Sequence, residues 1–467
     1  SNKLYMDNYY EYPGFGDHDR HSSRNATSGL SPDVYLVHSW TAISRFVLTI
    51  LLRIGFLLVQ IGSVPVTNVN LIVLQNMVDF SCVTLAYVLA GFVIAYGGDI
   101  NGLMGEGRWI GHASADKEEA IVGWQATVTA SAICTSCLVG RTHTVGCLLI
   151  GIVTAGLLQP FVIHWAWTPK GWMAHNILHD RPVAFRDYGG SSIVHIVGSL
   201  TGMTGCIVLG RRILRLRDID DASVPTDSAG NVFAGYSLIL LGLQSLCLPS
   251  TSDNHPRLAG KHMSLVVVNN LLGASACSLL VVGLHFFLSR EPFNHWTVMR
   301  CVQASVAGTI IVSAGVDVYS PIMCIGLGCT GGIVFYLVSR RVFESALEDY
   351  CNIAATHLTC ALVGSFVAPF CRTSAAGLYD VRTMILNVGW QVICLVTIVI
   401  LVVVTMTVAF VLLECLGLLR NRSEVVNHLR AIVAGARICA NIYDELESLD
   451  AQNENKATRG NRCFVFG

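Results

Sequence analysis

FRDYGGSSIVHIVGSL, residues 185–200, decides how the chain is read. Ile193, Val194, Ile196 and Val197 make a run suited to lipid, and an ionisable imidazole, His195, stands in the middle of it. A polar group taken out of water without a partner loses its hydration, so such a residue needs a reason to be there. The bland reason is a neutral, hydrogen-bonded packing histidine. The other is a working group inside a membrane-spanning segment.

Working outward, the 467-residue chain is 53% hydrophobic and 13% charged, with a mean hydropathy of +0.56. This is the composition of a polytopic membrane protein. A formal charge of −1 removes the electrostatic case for a nucleic-acid partner, which needs a concentrated basic face. Most of the seventeen cysteines fall singly within apolar runs, as do Cys82, Cys147, Cys206, Cys277 and Cys394, where a thiol behaves as a small hydrophobe. Cys134 and Cys137 form one CxxC without a second pair at zinc spacing, so no metal is expected. With no nucleophile elbow or phosphate loop either, neither an enzyme nor a cofactor is expected. The first 38 residues are polar and lack a signal-peptide pattern, so the first spanning segment is expected to direct insertion.

A hydrocarbon core about 30 Å thick takes roughly 20 apolar residues as helix. Eleven runs of that kind stand between charged or Pro/Gly-rich breaks, at 39–63, 73–96, 119–138, 145–167, 188–209, 233–248, 263–288, 297–317, 319–338, 353–371 and 386–415. The ninth opens at Ser320-Pro321, where proline suits a first helical turn. The expected fold is an all-α polytopic membrane protein, with residues 1–38 as an extracellular segment, 39–415 as the membrane domain and 416–467 as a cytoplasmic tail, partly helical over 423–440. Arginines 211, 212, 215 and 217, Arg340 and Arg341, and Arg420, Arg422, Arg430 and Arg437 share one side if the C-terminus is inside, which puts the N-terminus out. Asn25-Ala26-Thr27 then becomes a glycosylation acceptor. Gly198 with Gly202, Gly326 with Gly328, and Gly331-Gly332 predict close helix packing through small residues.

Ionisable residues inside the runs cost roughly 2.5–3.5 kcal/mol each on insertion scales. Leaving aside acidic residues at the run ends, they are Arg45, Arg53, Asp79, His164, His195, His285, Arg300 and His357. His195 and His357 stand apart because each lies near the middle of a run that follows acidic residues, Asp187 in one case and Glu348-Asp349 in the other. They also occupy the fifth and tenth of eleven runs, the matching positions of two inverted five-helix repeats followed by a final long helix. A site at the repeat interface near midplane follows from that arrangement. Two neutral imidazoles can bond to each other there, one donating and one accepting, and relay a proton while resisting a full charge.

The run from Asp187 to His195, with its aspartate, small residues and histidine at eight-residue spacing, resembles the signature of the ammonium transporter family, the Amt, Mep and Rhesus proteins. Pro160 followed by HWAWTPKGW (His164–Trp172), the stretch Val268–Leu272, CVQASVAGTIIVSAGVDVYSP (Cys301–Pro321) and EDYCNIAATH (Glu348–His357) resemble further family segments in order, covering nearly all of 40–415. The resemblance implies a plasma-membrane homotrimer of eleven-helix subunits, each with its own pore. It implies His195 and His357 as twin pore histidines, Trp167 lining an outer recruitment site for ammonium, Ser250 supplying a hydroxyl there, and Asp187 as a structural aspartate. An aromatic face attracts a partly dehydrated ammonium ion by about 0.5–2 kcal/mol, and Asp187 at a helix start suits a cap.

The sequence also departs from the family. Leu246 stands at one of two positions usually held by stacked gate phenylalanines, Leu243 stands where tryptophan is common, and the other phenylalanine falls near Ala126, Thr127 and Val128. Gly140 replaces a glutamate, Arg53 enters the first run, and the tail lacks the family's Gly-Leu-Asp and His-Gly-Glu motif. An ammonium or ammonia channel is expected, with two alternatives open: a non-conducting structural or sensing homologue, and a channel for another small neutral solute.

Overall fold

In a computed structural model the described residues are 32–64, 69–210, 228–250, 263–288, 295–371 and 381–421. The sequon at Asn25, the arginines at 211–217 and the expected helix at 423–440 lie outside them. The chain divides into two units, Ser1–Trp40 and Thr41–Gly467, and everything below concerns the second. Lipid offers no partner for a free backbone N–H or C=O, so the apolar runs close their hydrogen bonds internally as helices. Eleven helical segments follow among the described residues: α1 (Pro32–Ser63), α2 (Val69–Tyr96), α3 (Lys117–Leu138), α4 (Thr144–Trp167), α5 (Ser191–Leu209), α6 (Ser228–Cys247), α7 (Met263–Leu288), α8 (His295–Ser313), α9 (Pro321–Phe343), α10 (Ala354–Phe370) and α11 (Val381–Cys415). Nine are long and apolar enough to cross a membrane. The two that fall short are α8, which carries Arg300 and Gln303, and the shorter α10. Ser320 caps α9 by accepting from the Met323 amide, with Pro321 at the first position.

Burial separates inner from outer helices. The apolar window of α3 is 89% buried within the chain against 28% for α7 and α11, so α3 is an inner wall and the other two present apolar sides outward. Close packing runs through backbone. A Cβ on Gly55 of α1 would stand 2.6 Å from the Gly235 carbonyl of α6, and one on Gly235 would stand 2.7 Å from the Gly55 carbonyl. Gly62 meets Ser228 and Gly242 meets Leu48 in the same way, so α1 and α6 cross antiparallel, as the first helices of two inverted repeats do.

The last helices of the repeats correspond as well. Gly202 lies seven residues after His195 and rests on α3 at Cys134 and Cys137, while Gly364 lies seven residues after His357 and rests on the Ile311 backbone of α8. Between α4 and α5, strands β1 (Asn176–Leu178) and β2 (Arg181–Val183) form a hairpin whose two turn residues, His179 and Asp180, both have positive φ. That twist matches the flanking strands. The Trp390 indole donates to Met173 O at 3.0 Å, and the Arg186 amide donates to Gln391 Oε1 at 2.8 Å. These bonds tie the α4–α5 connection to α11.

Candidate functional site

The site is built twice from one local pattern. Asp187 Oδ2 accepts from the amides of Ser192 and Ile193 at 3.0 and 2.9 Å, so the carboxylate takes up N–H groups that a helix start leaves open. Three residues after it, Gly190 turns the chain through φ +83. The first turn of α5, Ser191–Ile196, is then widened to π geometry and carries His195. In α10 the same offsets recur. Asp349 Oδ2 accepts from the Ala354 amide at 2.8 Å, Asn352 takes the left-handed position at φ +55, and the π turn Ala354–Thr359 carries His357. Asn352 meets that conformation while its amide donates to Gln303 Oε1 at 2.7 Å and Ser339 Oγ at 2.9 Å.

These two turns bring His195 and His357 together. Their Nδ1 atoms lie 3.1 Å apart, the ring centroids 5.1 Å apart at 40°, and both residues are buried at 1% and 0% exposure. One Nδ1 must carry a proton and the other a lone pair, so the rings hold opposite tautomers. Their Nε2 atoms are then unlike, a donor on one ring and an acceptor on the other. His357 Nε2 has no partner among the described residues, and Phe56 of α1 flanks this ring at 5.7 Å. The arrangement can pass a hydrogen-bonding molecule or a proton between unlike nitrogens, and among the described residues no acidic side chain is hydrogen-bonded to the pair.

Trp167, Asp187 and the turn that carries Leu246 meet at the beginning of α5 through two hydrogen bonds. The Trp167 indole donates to the Asp187 carbonyl at 2.9 Å, and its ring edge faces Gly190, where a Cβ would stand 3.5 Å away. The Tyr188 hydroxyl donates to Cys247 O at 3.3 Å, which sets the turn Gln244–Cys247 against the same place. Leu246, Ser250, Ala126, Thr127 and Val128 are all buried. Arg45 donates to Ser245, Leu248 and Pro249 carbonyls, and Gln125 Nε2 donates to Ser245 O at 3.2 Å.

Several residues of this framework were not foreseen from sequence. Asn352 and the capping role of Asp349 could have been found, because the Asp–three–eight spacing is the same in both halves. The partners of the intramembrane charges could not, being distant in sequence. Arg53 Nη2 meets Asp79 Oδ2 at 2.9 Å, and Ser131 Oγ donates to the same carboxylate at 2.8 and 3.0 Å. His164 bonds to Ala95 O and Asp99. At the other end of the bundle, Arg141 donates to Gly210 O after α5 and to Leu347 O before α10. There the tail pairs with the α3–α4 loop through His143 N to Leu419 O and Asn421 N to Arg141 O, both at 2.8 Å.

Comparison with known proteins places the chain among relatives. Residues 39–428 match the family described as the Ammonium Transporter Family. The chain is 22% identical to the putative ammonium transporter 1 of Caenorhabditis elegans, over 83% of this chain and 76% of that one. It is 26% identical to ammonium transporter 1 member 3 of Solanum lycopersicum, over 81% and 87%. Among solved structures it shares its fold with a protein titled Sensor Amt Protein, with a TM-score of 0.72, 17% identity, and 84% of this chain and 96% of that one covered.

Proposed function

The chain belongs to the ammonium transporter family, and from that premise we propose that it recruits ammonium at an outer vestibule and passes ammonia along an apolar pore lined by His195 and His357. The observation that carries this is the buried Nδ1 contact of 3.1 Å between imidazoles from two repeats. Bare ammonium in a narrow apolar path meets a large desolvation penalty, whereas neutral ammonia can accept from one unlike Nε2 and donate to the other. The proton left at the mouth crosses separately along the imidazoles or returns to the outer solution. Trp167 offers an aromatic face near the beginning of α5, Ser250 a hydroxyl, Leu246 an apolar wall, and Asp187 holds the turn that presents His195. The subunit works as a homotrimer in the plasma membrane, N-terminus outside and tail in the cytoplasm, with the membrane domain spanning 39–415.

The test is flux into liposomes under an ammonium gradient, following current and internal pH together. Wild type is expected to change internal pH, with current if the proton crosses too. His195→Ala is expected to abolish or severely reduce the pH response, and Trp167→Leu to weaken it mainly at low ammonium. An alternative is a non-conducting structural or sensing homologue, favoured by Leu246 and Ala126–Val128 where gate phenylalanines are usual. Absence of both signals from correctly inserted wild type selects it.

A further inference from the structure

Arg45 sits in α1, fully buried, and the transport scheme above gives it no part. Its guanidinium reaches across to the last turn of α6 and the chain just after it. Nη1 donates to Ser245 O at 2.9 Å, and Nη2 donates to Leu248 O at 2.7 Å and to Pro249 O at 2.9 Å. The tight turn Gln244–Cys247 ends in extended backbone at Leu248; the Ser245 oxygen already accepts from the Leu248 amide at 3.4 Å, while the Leu248 and Pro249 carbonyls lie past the turn, where helical hydrogen bonding supplies no donor. Only a planar fork of donors reaches three of them at once; the ammonium of a lysine is a single point on a flexible stem. Gln125 of α3 adds a second brace on the same Ser245 oxygen. On the far side of the turn, Tyr188 donates to Cys247 O. The short segment that carries Leu246 and Ser250 is thus clamped among α1, α3 and the beginning of α5.

We infer that Arg45 is a positioning residue of the outer mouth, fixing the turn that presents Leu246 and Ser250 and so setting ammonium affinity without touching the ion. This rests on the transport function proposed above. Two measurements on the full chain separate them. In liposome flux, Arg45→Gln is expected to raise the apparent KM for ammonium about tenfold, as a shifted contact does, with the maximal rate per inserted protein held within about twofold. Arg45→Lys recovers part of the affinity. Gln125→Met raises KM by less and adds less than independently to Arg45→Gln, since both act through one carbonyl. Hydrogen exchange of a peptide covering 243–250 is expected to quicken in Arg45→Gln while a peptide within α9 is unchanged.

An unchanged KM, or a fall in maximal rate and protein amount alone, overturns the inference, as does unchanged exchange. If Arg45→Gln fails to insert, Gln125→Met decides by the same two readouts. If wild type carries no flux, the transport function fails, and exchange alone decides whether Arg45 braces the turn.

Discussion

At the scale of single residues, the two halves solve one backbone problem with different side chains, and the difference is measurable. Gly190 holds φ +83 without strain, but a Cβ there would stand 2.8 Å from Val194 Cγ2. Gly190→Ala therefore combines an unfavourable left-handed residue, about 1–2 kcal/mol, with a side-chain collision next to His195. Asn352→Gly is the reverse experiment. Glycine relieves a left-handed penalty that is small for asparagine, yet it removes bonds to Gln303 and Ser339, each worth about 0.5–1.5 kcal/mol, and strips Gln303 Oε1 of a buried donor. The lost bonds outweigh the relief, so both substitutions are expected to destabilise by about 1–2 kcal/mol, read as lower thermal midpoints in detergent. A stabilised Asn352→Gly protein contradicts the role given to the amide.

At the scale of elements, glycine position separates packing from exposure. Gly364 of α10 lies on the Ile311 backbone of α8, where an added Cβ falls inside contact distance of a carbonyl that cannot rotate away. Gly326 of α9 has nothing within 4 Å of its would-be Cβ. Gly364→Ala must push α10 off α8 and displace His357 two turns away, so it is expected to abolish flux and lower stability by several kcal/mol. Gly326→Ala is expected to leave flux intact and gain up to about 1 kcal/mol from helix propensity. Flux assays beside detergent melts check both. Such elements were largely legible in sequence, because lipid enforces length and apolarity along the chain itself. The expected runs at 145–167 and 263–288 match α4 and α7 to within a residue. The aspartate caps of α5 and α10 could be read from their spacing, but the π geometry of their first turns and the exact start of α5 could not. The run expected from 188 begins as helix at Ser191, after a left-handed Gly190 and an aspartate cap, and π widening leaves no periodic mark in six residues. The histidines were visible as misplaced polar groups, while the carbonyls that Arg45 seeks, some 200 residues onward, carry no sequence signature at all.

At the scale of the molecule, buried polar contacts between distant segments fix how the helices stand. Arg45 joins α1 to the last turn of α6 and the chain after it, Arg141 joins the ends of α3 and α5 to the connection between α9 and α10, and Arg53 with Asp79 joins α1, α2 and, through Ser131, α3. Small residues let these helices approach, but apolar contact alone supplies little orientation in lipid. The Arg53–Asp79 pair is the one whose contribution can be isolated, since both groups are at most 7% exposed and neither touches the histidine pair. Ionising two groups in an apolar bundle costs several kcal/mol, which their attraction and hydrogen bonds approximately offset. Removing one partner leaves the other's desolvation uncompensated, so Arg53→Met or Asp79→Leu alone is expected to destabilise by about 3–5 kcal/mol. Removing both restores apolar packing and is expected to recover much of that loss, a strongly non-additive cycle in melts of the purified protein. If the pair only fixes helix orientation, the double variant is expected to give the same internal pH response as wild type in the liposome assay. Additive losses contradict the coupling of the pair, whereas a double variant that folds normally yet carries no ammonia gives Arg53 and Asp79 a direct part in transport.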